Sequence, residues 1–452
     1  MIRRQQAAGL LAALALLGTA AAPARAQLAK HHVLEVAHLM VVLQREPLAV
    51  YSRAQLYEAC AQKSAPPELA AAPNDPEQAG RALGALAVEW HQASKAEAEV
   101  DRLARECKRR MMTLMGPRGR YYTPAELDQW RKGGGFGPGL LTTRIDGQWV
   151  VRDTIAGSPA EAAGLQAGDV LVNLDGLPLP GMSAAEFFEL LYHSTAAPLQ
   201  LVSQRPGEPP QTRSLARVPA VQGQTVVVVG RAPGHLYIRL AGFFEDTPAR
   251  LLQGLRTQPA DDSGVRVLDL RGNPGGRMMV VQWALALFGK HGGAGAWQPV
   301  QYRPGSTLAQ SFSATESVNQ VKGLDTTGIA ELREWLVPGK WLVLVDGETG
   351  SGAAWLAGAL RELNGAQLVG QPPDPSDFGV DVLESVKEAG GVAGVRYEIG
   401  LLGLPSGKAL TPASAAPDTV LPATGGIRPF PKSTAAWLQD PVYGQVKDRL
   451  RP

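Results

Sequence analysis

The sequence predicts an α+β multidomain chain in three parts, and three observations carry that reading. From about His31 to Trp130, apolar residues recur at three- and four-residue spacing in "HHVLEVAHLMVVLQ" and "RALGALAVEWHQASKAEAEVDRLARECKRRMMTLM", the period of a helix face. From "KGGGFGPGLLT" to about Pro219 the segments turn short and β-rich, with turn residues between them. From Thr225 onward strands alternate with helices, which favours parallel pairing beneath covering helices. A length of 452 residues fits two to four domains at roughly 100–200 residues each.

In the first part, "SAPPELAAAPNDPEQ" reads as a loop between helical stretches. The second part holds the strands "GQWVVRDTI", "GDVLVNLDG" and "PLQLVSQ", with a helix "SAAEFFELLYH" that starts at the N-cap residue Ser183. The third runs "TVVVVG", "HLYIRL", helix "DTPARLLQGLRTQ", strand "VRVLDL", helix "MMVVQWALALFG", strand "WLVLV", helix "AAWLAGALREL" and strand "AQLVG". "TAAWLQDPVYGQVKDRL" reads as a helical C-terminal tail.

The N-terminus reads as a secretory signal. Arg3 and Arg4 precede an apolar run, "AAGLLAALALLGTAAA", and "ARA" (Ala24 to Ala26) supplies a small-x-small cleavage site before Gln27. That run is shorter than the ~20 residues a spanning helix needs, which weighs against an uncleaved anchor. No cysteine follows it to take a lipid. Cleavage removes three arginines and no acids, so the formal charge goes from +2 to −1. A near-neutral chain gives no electrostatic reason to expect nucleic acid or an anionic membrane. No later segment is apolar enough to span a bilayer, and a periplasmic or secreted chain is expected.

Cys60 and Cys107 are the only cysteines. In an exported chain they suggest a disulfide between two helices, with two buried thiols as the alternative. Neither has a ligand neighbour at zinc spacing, and His31, His32, His38 and His91 lack metal spacing too. No metal or cofactor is expected.

Ligands of parallel α/β sheets bind at the carboxyl ends of strands, and two glycine-rich turns stand there. One is "VLDLRGNPGGRMM"; the other is "VDGETGSGAAWLAGALRE", with Ser351 between Gly350 and Gly352. Glycines let backbone N–H groups approach a ligand or a developing oxyanion, so the pair suggests an acyl-transfer site. On residues alone Ser351 reads as a helix N-cap ahead of a nucleophile. "GETGSG" lacks the Lys-Ser/Thr ending of a phosphate-binding loop and the dinucleotide spacing.

"GNPGG" behind "LDLR", with the distal serine turn running into "AGAL", resembles the carboxy-terminal processing, or tail-specific, serine peptidase family. "RYYTPAELDQW" resembles the family's run before its PDZ domain. "GFGPGL" and "VVRDTIAGSPAEAAGLQAGDVLVNLDG" resemble that domain. "GHLYIRLAGFFEDTPARLLQGL" and "LLGLPSGKALTPASAAPD" resemble the strands flanking the active-site core, so the likeness runs from about Tyr121 to Asp418. It implies a helical N-terminal region, a PDZ-like module and a Clp protease/crotonase-like αββ peptidase core. Bounds follow: 1–26 signal, 27–130 helical domain, 131–219 PDZ, 220–427 peptidase core, 428–452 tail.

The resemblance implies a serine nucleophile at Ser351, with the N–H groups of Gly276 and Gly352 as the oxyanion hole. It also implies a lysine general base about 25 residues beyond the serine, in a Phe-Gly-Lys-Gly turn, and here the pattern departs. Ungapped counting reaches Ser376, whereas alignment on Phe378-Gly379 gives Val380. The supporting polar position falls on Val380 or Glu384. Lys387, Lys408, His193, His235 and His291 are the substitutes chemistry would allow. Ala353, Ala354 and the bulky Trp355 also depart from the family's Ser-Glu pattern.

For the PDZ module the resemblance implies a carboxylate-binding loop at Phe136, Gly137, Gly139 and Leu140, where a peptide would add as a strand; Pro138 takes one donor out of it. A PDZ domain that only scaffolds the core is the alternative. Two functions follow: a periplasmic serine peptidase acting on tails of exported or unfolded proteins, or a catalytically silent adaptor for such tails or for a partner protease.

Overall fold

The computed structural model describes residues 24–44, 51–94, 96–115, 119–133, 136–145, 147–155, 157–180, 182, 187, 190–191, 197–219, 226–259, 264–290, 296–297, 300–302, 312–313, 328–373, 379–388, 391–422 and 429–450. They fall into two compact units. One holds residues up to Gln129 with Tyr302–Leu308 and Asp381–Ile399; the other holds Trp130–Gln301, Ala309–Val380 and Gly400–Pro452.

In the first unit the helices are α1 (Ala24–Leu43), α2 (Arg53–Ala61), α3 (Pro67–Ala71), α4 (Pro76–Ala93) and α5 (Glu97–Thr113). Local chemistry starts two of them. Ser52 and Gln55 form a reciprocal capping box on α2. On α4 the Asp75 side chain accepts from the N–H groups of Glu77 and Gln78, with Pro76 in the first turn. The buried stripe of α4, Ala79, Ala82, Leu83, Leu86, Ala87 and Trp90, has the predicted helical period. A disulfide joins Cys60 of α2 to Cys107 of α5, which decides between bonded and free thiols. Strand β1 (Arg120–Tyr122) pairs antiparallel with the strand Gly391–Leu402, whose hairpin partner is Gly379–Glu388.

The second unit begins with the PDZ module. Its strands are β2 (Phe136–Gly137), β3 (Leu140–Ile145), β4 (Gln148–Thr154), β5 (Val170–Leu174), β6 (Leu177–Pro178), β7 (Leu199–Gln204), β8 (Gln211–Leu215) and β9 (Val218–Pro219), with the short helix α6 (Pro159–Ala162) after β4. They form an antiparallel sheet ordered β3-β4-β5-β7-β8, and β2 pairs separately with β9. Trp149 stacks on Phe187 in its core, ring centroids 4.0 Å apart.

The peptidase core is a six-stranded sheet. Strands β10 (Val227–Ala232), β11 (His235–Leu240), β12 (Val265–Asp269), β13 (Lys340–Val345), β14 (Gln367–Gly370) and β15 (Thr419–Val420) lie in chain order. All neighbours are parallel except the β10–β11 hairpin. Helices α7 (Thr247–Arg256), α8 (Met278–Phe288), α9 (Ile329–Leu336) and α10 (Ser351–Asn364) contribute to the larger core cluster with the sheet. A second cluster, containing Tyr237, Val267 and Leu344, takes in the buried Trp437 and Val446. Those two belong to α11 (Thr434–Leu438) and α12 (Pro441–Val446) of the C-terminal tail. The strands β11 and β12 are therefore buried along their whole length because both faces are covered.

Candidate active site

The two glycine turns leave the carboxyl ends of β12 and β13, which are adjacent and parallel. Cross-bonds stitch them together. Gly350 N–H donates to the Asn273 carbonyl at 2.9 Å, and Gly272 N–H donates to Asp346 Oδ1 at 2.9 Å. Thr349 Oγ1 donates to the Leu270 carbonyl at 3.0 Å. Asn273, fully buried, accepts from Gly275 N–H through its Oδ1 and donates from its Nδ2 to the Leu240 carbonyl. Each bond satisfies a buried polar group, and together they fix the register of the turns.

Ser351 is the first residue of α10, and its backbone has φ +45°. This left-handed conformation is costly for a side chain with a Cβ, by about 1–2 kcal/mol, and such outliers cluster at functional sites. The N-cap is Gly350, with no side-chain capping bond; Ser351 is not a capping serine.

Gly276 has φ +141° and bridges Phe243: Arg277 N–H donates to the Phe243 carbonyl, and Phe243 N–H to the Gly275 carbonyl. Gly275, at φ +98°, packs against Ser351 and Gly352. Gly352 stands in the first turn of α10, where N–H groups have no intrahelical acceptor. Among the described residues no backbone carbonyl accepts from Gly276 or Gly352. Gly352 follows Ser351 in the chain, and Gly275, the residue before Gly276, lies against the serine.

The predicted substitutes for a lysine base are placed as follows. His235 is buried at the first position of β11, its Nδ1 on the Pro233 carbonyl and its Nε2 accepting from Trp437 Nε1 at 2.8 Å. Burial lowers its pKa, so it is a neutral structural histidine. Lys387 and Lys408 are exposed. His193, His291, Ser376, Phe378 and the side chains of Val380 and Glu384 lie outside the described residues. Trp355, bulky for its turn, is fully buried and donates to the Gly403 carbonyl at 2.6 Å.

Two features escaped the sequence reading. Beneath the first turn, Asp269 is fully buried and takes Arg271 Nη2 at 2.7 Å and the Tyr237 hydroxyl at 2.7 Å. Burial alone would raise this carboxyl, but Arg271 and Arg239 outweigh it and hold it at about 2. Beside the serine turn, Arg152 of β4 reaches Glu348 at 3.4 Å and Asp346 at 3.9 Å. Partial burial and the Asp346 carboxylate push Glu348 up to about 7, against the pull of Arg152. Spacing alone gives no sign of either, because the partners come from distant segments.

At the PDZ loop, the Pro138 carbonyl accepts from Ala160 N–H and the Gly139 carbonyl from Ile155 N–H, each at 2.9 Å. In a planar trans peptide the N–H points opposite to the carbonyl. The Gly139 N–H therefore faces away from α6. Gly139 has φ +79°, and a Cβ there would overlap Ser158. Gly137 pairs with Val218 and Phe136 with Pro219, while the Leu140 side chain fills the PDZ core.

Among the described residues no helix is long and apolar enough to cross a membrane, and no group of three or more His, Cys, Asp or Glu could hold a metal ion.

Comparison with known proteins agrees with this architecture. Residues 234–421 match the model of peptidase family S41, and residues 150–205 match a PDZ domain model. The chain is 26% identical over 340 residues to the chloroplastic C-terminal processing peptidase of Tetradesmus obliquus, covering 69% of this chain and 66% of that protein. It is 26% identical over 255 residues to the carboxy-terminal processing protease CtpA of Bacillus subtilis (strain 168), covering 56% and 48%. The matches thus span about half to two thirds of those relatives' lengths. Among solved structures, the photosystem II D1 C-terminal processing protease shares the fold with a TM-score of 0.52 at 21% identity, over 88% of this chain and 94% of that one. The chain thus carries a peptidase S41 region and a PDZ domain beside a helical N-terminal region, an arrangement consistent with the carboxy-terminal processing peptidases it is similar to.

Proposed function

We propose that the protein is an exported serine endopeptidase that cleaves near the carboxy-termini of exported or unfolded proteins in the periplasm. The reading rests on Ser351, held at φ +45° against Gly275, with the N–H groups of Gly276 and Gly352 as the donors the resemblance implies. Ser351 Oγ attacks the scissile carbonyl carbon, its proton passes to a base, and the oxyanion takes both N–H groups; one such donor is typically worth about 10²–10³ in rate. The tail of the substrate adds as a strand to the edge of β3, its carboxylate on the N–H groups of Gly139 and Leu140. The signal-like N-terminus supports export.

A second reading is a catalytically silent adaptor that binds tails or a partner protease through the same PDZ edge. It is favoured by Ser376, Val380 and Glu384 at the positions where the family carries its lysine and the lysine's partner. A serine without a positioned base is a weak nucleophile, and general-base assistance is worth about 10²–10⁴-fold.

Cleavage of an unfolded substrate with an apolar C-terminus, compared between wild type and Ser351→Ala, separates the two. Loss of cleavage in the variant supports the peptidase; equal, background-level cleavage in both sinks it. Weaker binding of a C-terminal peptide by Gly139→Ala supports the PDZ assignment, and unchanged binding removes it.

A further inference from the structure

We propose that Phe430, in the C-terminal tail, is a positioning residue for the oxyanion turn; this rests on the peptidase reading. Phe430 lies outside any helix or strand, yet its half-buried ring is bracketed by cations. The guanidinium carbon of Arg239 lies 4.1 Å from the ring centroid, that of Arg152 4.3 Å, and that of Arg271 5.6 Å. Cations over an aromatic face are attracted by its quadrupole, and these three arrive from β11, from the PDZ strand β4 and from the oxyanion turn itself. Their charges are matched underneath. Arg239 and Arg271 both contact Asp269, and Arg152 faces the Glu348 and Asp346 carboxylates.

The ring rests on backbone. A Cβ built on Gly272 would fall on the ring edge, with the para carbon of Phe430 2.7 Å from it. Gly272 has φ +67°, and its N–H holds Asp346 of the serine turn. Phe430 therefore closes over the residue that ties the two turns together, three positions before Gly275. The tail is pinned twice beyond this contact. Lys432 pairs with Asp153 of β4 at 2.6 Å, and Asp440 pairs with Arg271 at 3.2 Å. A residue far from Ser351 in sequence thus sets where the oxyanion donors stand. Its partners are the three arginines and Gly272 at the oxyanion turn, so it acts on the chemical step and leaves substrate capture alone.

The test compares wild type, Phe430→Leu and Phe430→Tyr in the full chain. Leucine removes the aromatic face, and tyrosine adds an oxygen on the para carbon, which lies beside Gly272. Both variants are expected to lower kcat about tenfold or more with KM within twofold and with little change in melting temperature. Wild-type kcat in both overturns the proposal, and so does a fall in kcat that tracks a matching fall in melting temperature. Amide hydrogen exchange gives a readout that does not need turnover. Both variants should speed exchange in residues 270–277 several-fold while β12 and β13 stay protected; unchanged exchange overturns the proposal. If Ser351→Ala cleaves as well as wild type, the peptidase reading fails, and the exchange result still decides the role of Phe430 at the turn.

Discussion

Gly275 lies against Ser351 so closely that a methyl group on it would stand 2.8 Å from the Ser351 Cβ and 2.9 Å from the Gly352 nitrogen. Gly275 also has φ +98°, where L side chains are strained. Gly275→Ala therefore has to push the turns apart. Ser351-dependent cleavage should fall by about 10²–10³-fold, the loss expected for one displaced oxyanion donor. Labelling of Ser351 by a fluorophosphonate should fall with it while far-ultraviolet circular dichroism stays unchanged. Wild-type labelling would show that the close approach is not needed.

Glu348 makes the serine turn pH-sensitive. Its folded pKa is raised from 4.5 to about 7, so between these values the native state holds a proton that the unfolded chain has released. Stability must fall as pH rises through that window. Glu348→Gln should flatten the profile between about pH 4.5 and 7, measured as urea midpoints at each pH. Arg152 pulls the same pKa down, so Arg152→Ala should carry the upper end of the falling limb above pH 7. An unmoved profile in both variants would discard Glu348 as the titrating group.

The sheet was legible because β11, β12, β13 and β14 are buried on both faces and read as runs such as "HLYIRL" and "WLVLV". Their connections carry good helix-forming stretches, and the first turn announced itself through glycines that φ +67°, +98° and +141° in fact require, whereas in the serine turn the positive φ belongs to Ser351. Asn273 and Thr349 were not legible. Each works by a bond to a backbone group on the neighbouring turn, and any polar residue in a loop looks the same in a sequence. The hairpin Gly379–Glu388/Gly391–Leu402 was also missed, although "GVRYEI" alternates. Phe430 left no trace, since its partners sit at 152, 239 and 271. Cys60 and Cys107 allowed two states, and only the approach of α2 to α5 chose between them.

The Cys60–Cys107 disulfide closes a loop of 47 residues. Loop-closure entropy for that length suggests a stabilisation of about 4 kcal/mol. The double variant Cys60→Ser, Cys107→Ser should lower the urea midpoint of the helical unit by a corresponding amount. The peptidase sheet, held by its own two core clusters, should keep its hydrogen-exchange protection. Equal loss of protection in both units would mean that they unfold as one.

Lys108 is 2% exposed and places one ammonium between two carboxylates, Glu35 Oε2 at 2.9 Å and Glu388 Oε1 at 2.8 Å. Its nitrogen stands 4.6 Å from the centroid of the Tyr121 ring, whose hydroxyl donates to Glu388. His32 extends the network, its Nδ1 2.9 Å from Glu35 and its Nε2 2.6 Å from Asp101. Burial would raise Glu35, but His32 and Lys108 outweigh it and hold the carboxyl at about 2, against 4.5 in the unfolded chain. Its stabilisation is thus present above pH 4.5 and lost as pH falls toward 2. Burial lowers His32, but its bonds to Glu35 and Asp101 prevail and raise it overall; its share is complete below pH 6.5 and lost as pH rises through the raised value. Lys108→Met takes one cationic partner from Glu35, which keeps His32, and leaves Glu388 with the Tyr121 hydroxyl; breaking a buried pair in this way costs about 3–5 kcal/mol. Between pH 4.5 and 2 the variant should lose less stability than wild type, because without Lys108 the folded pKa of Glu35 stands closer to its unfolded value. Adding Glu388→Gln should restore part of the loss at pH 7, since the buried charge that lost its ammonium is gone. A variant as stable as wild type at pH 7, or one that gains nothing from Glu388→Gln, would mean that water reaches these carboxylates and that the ammonium is not what holds them.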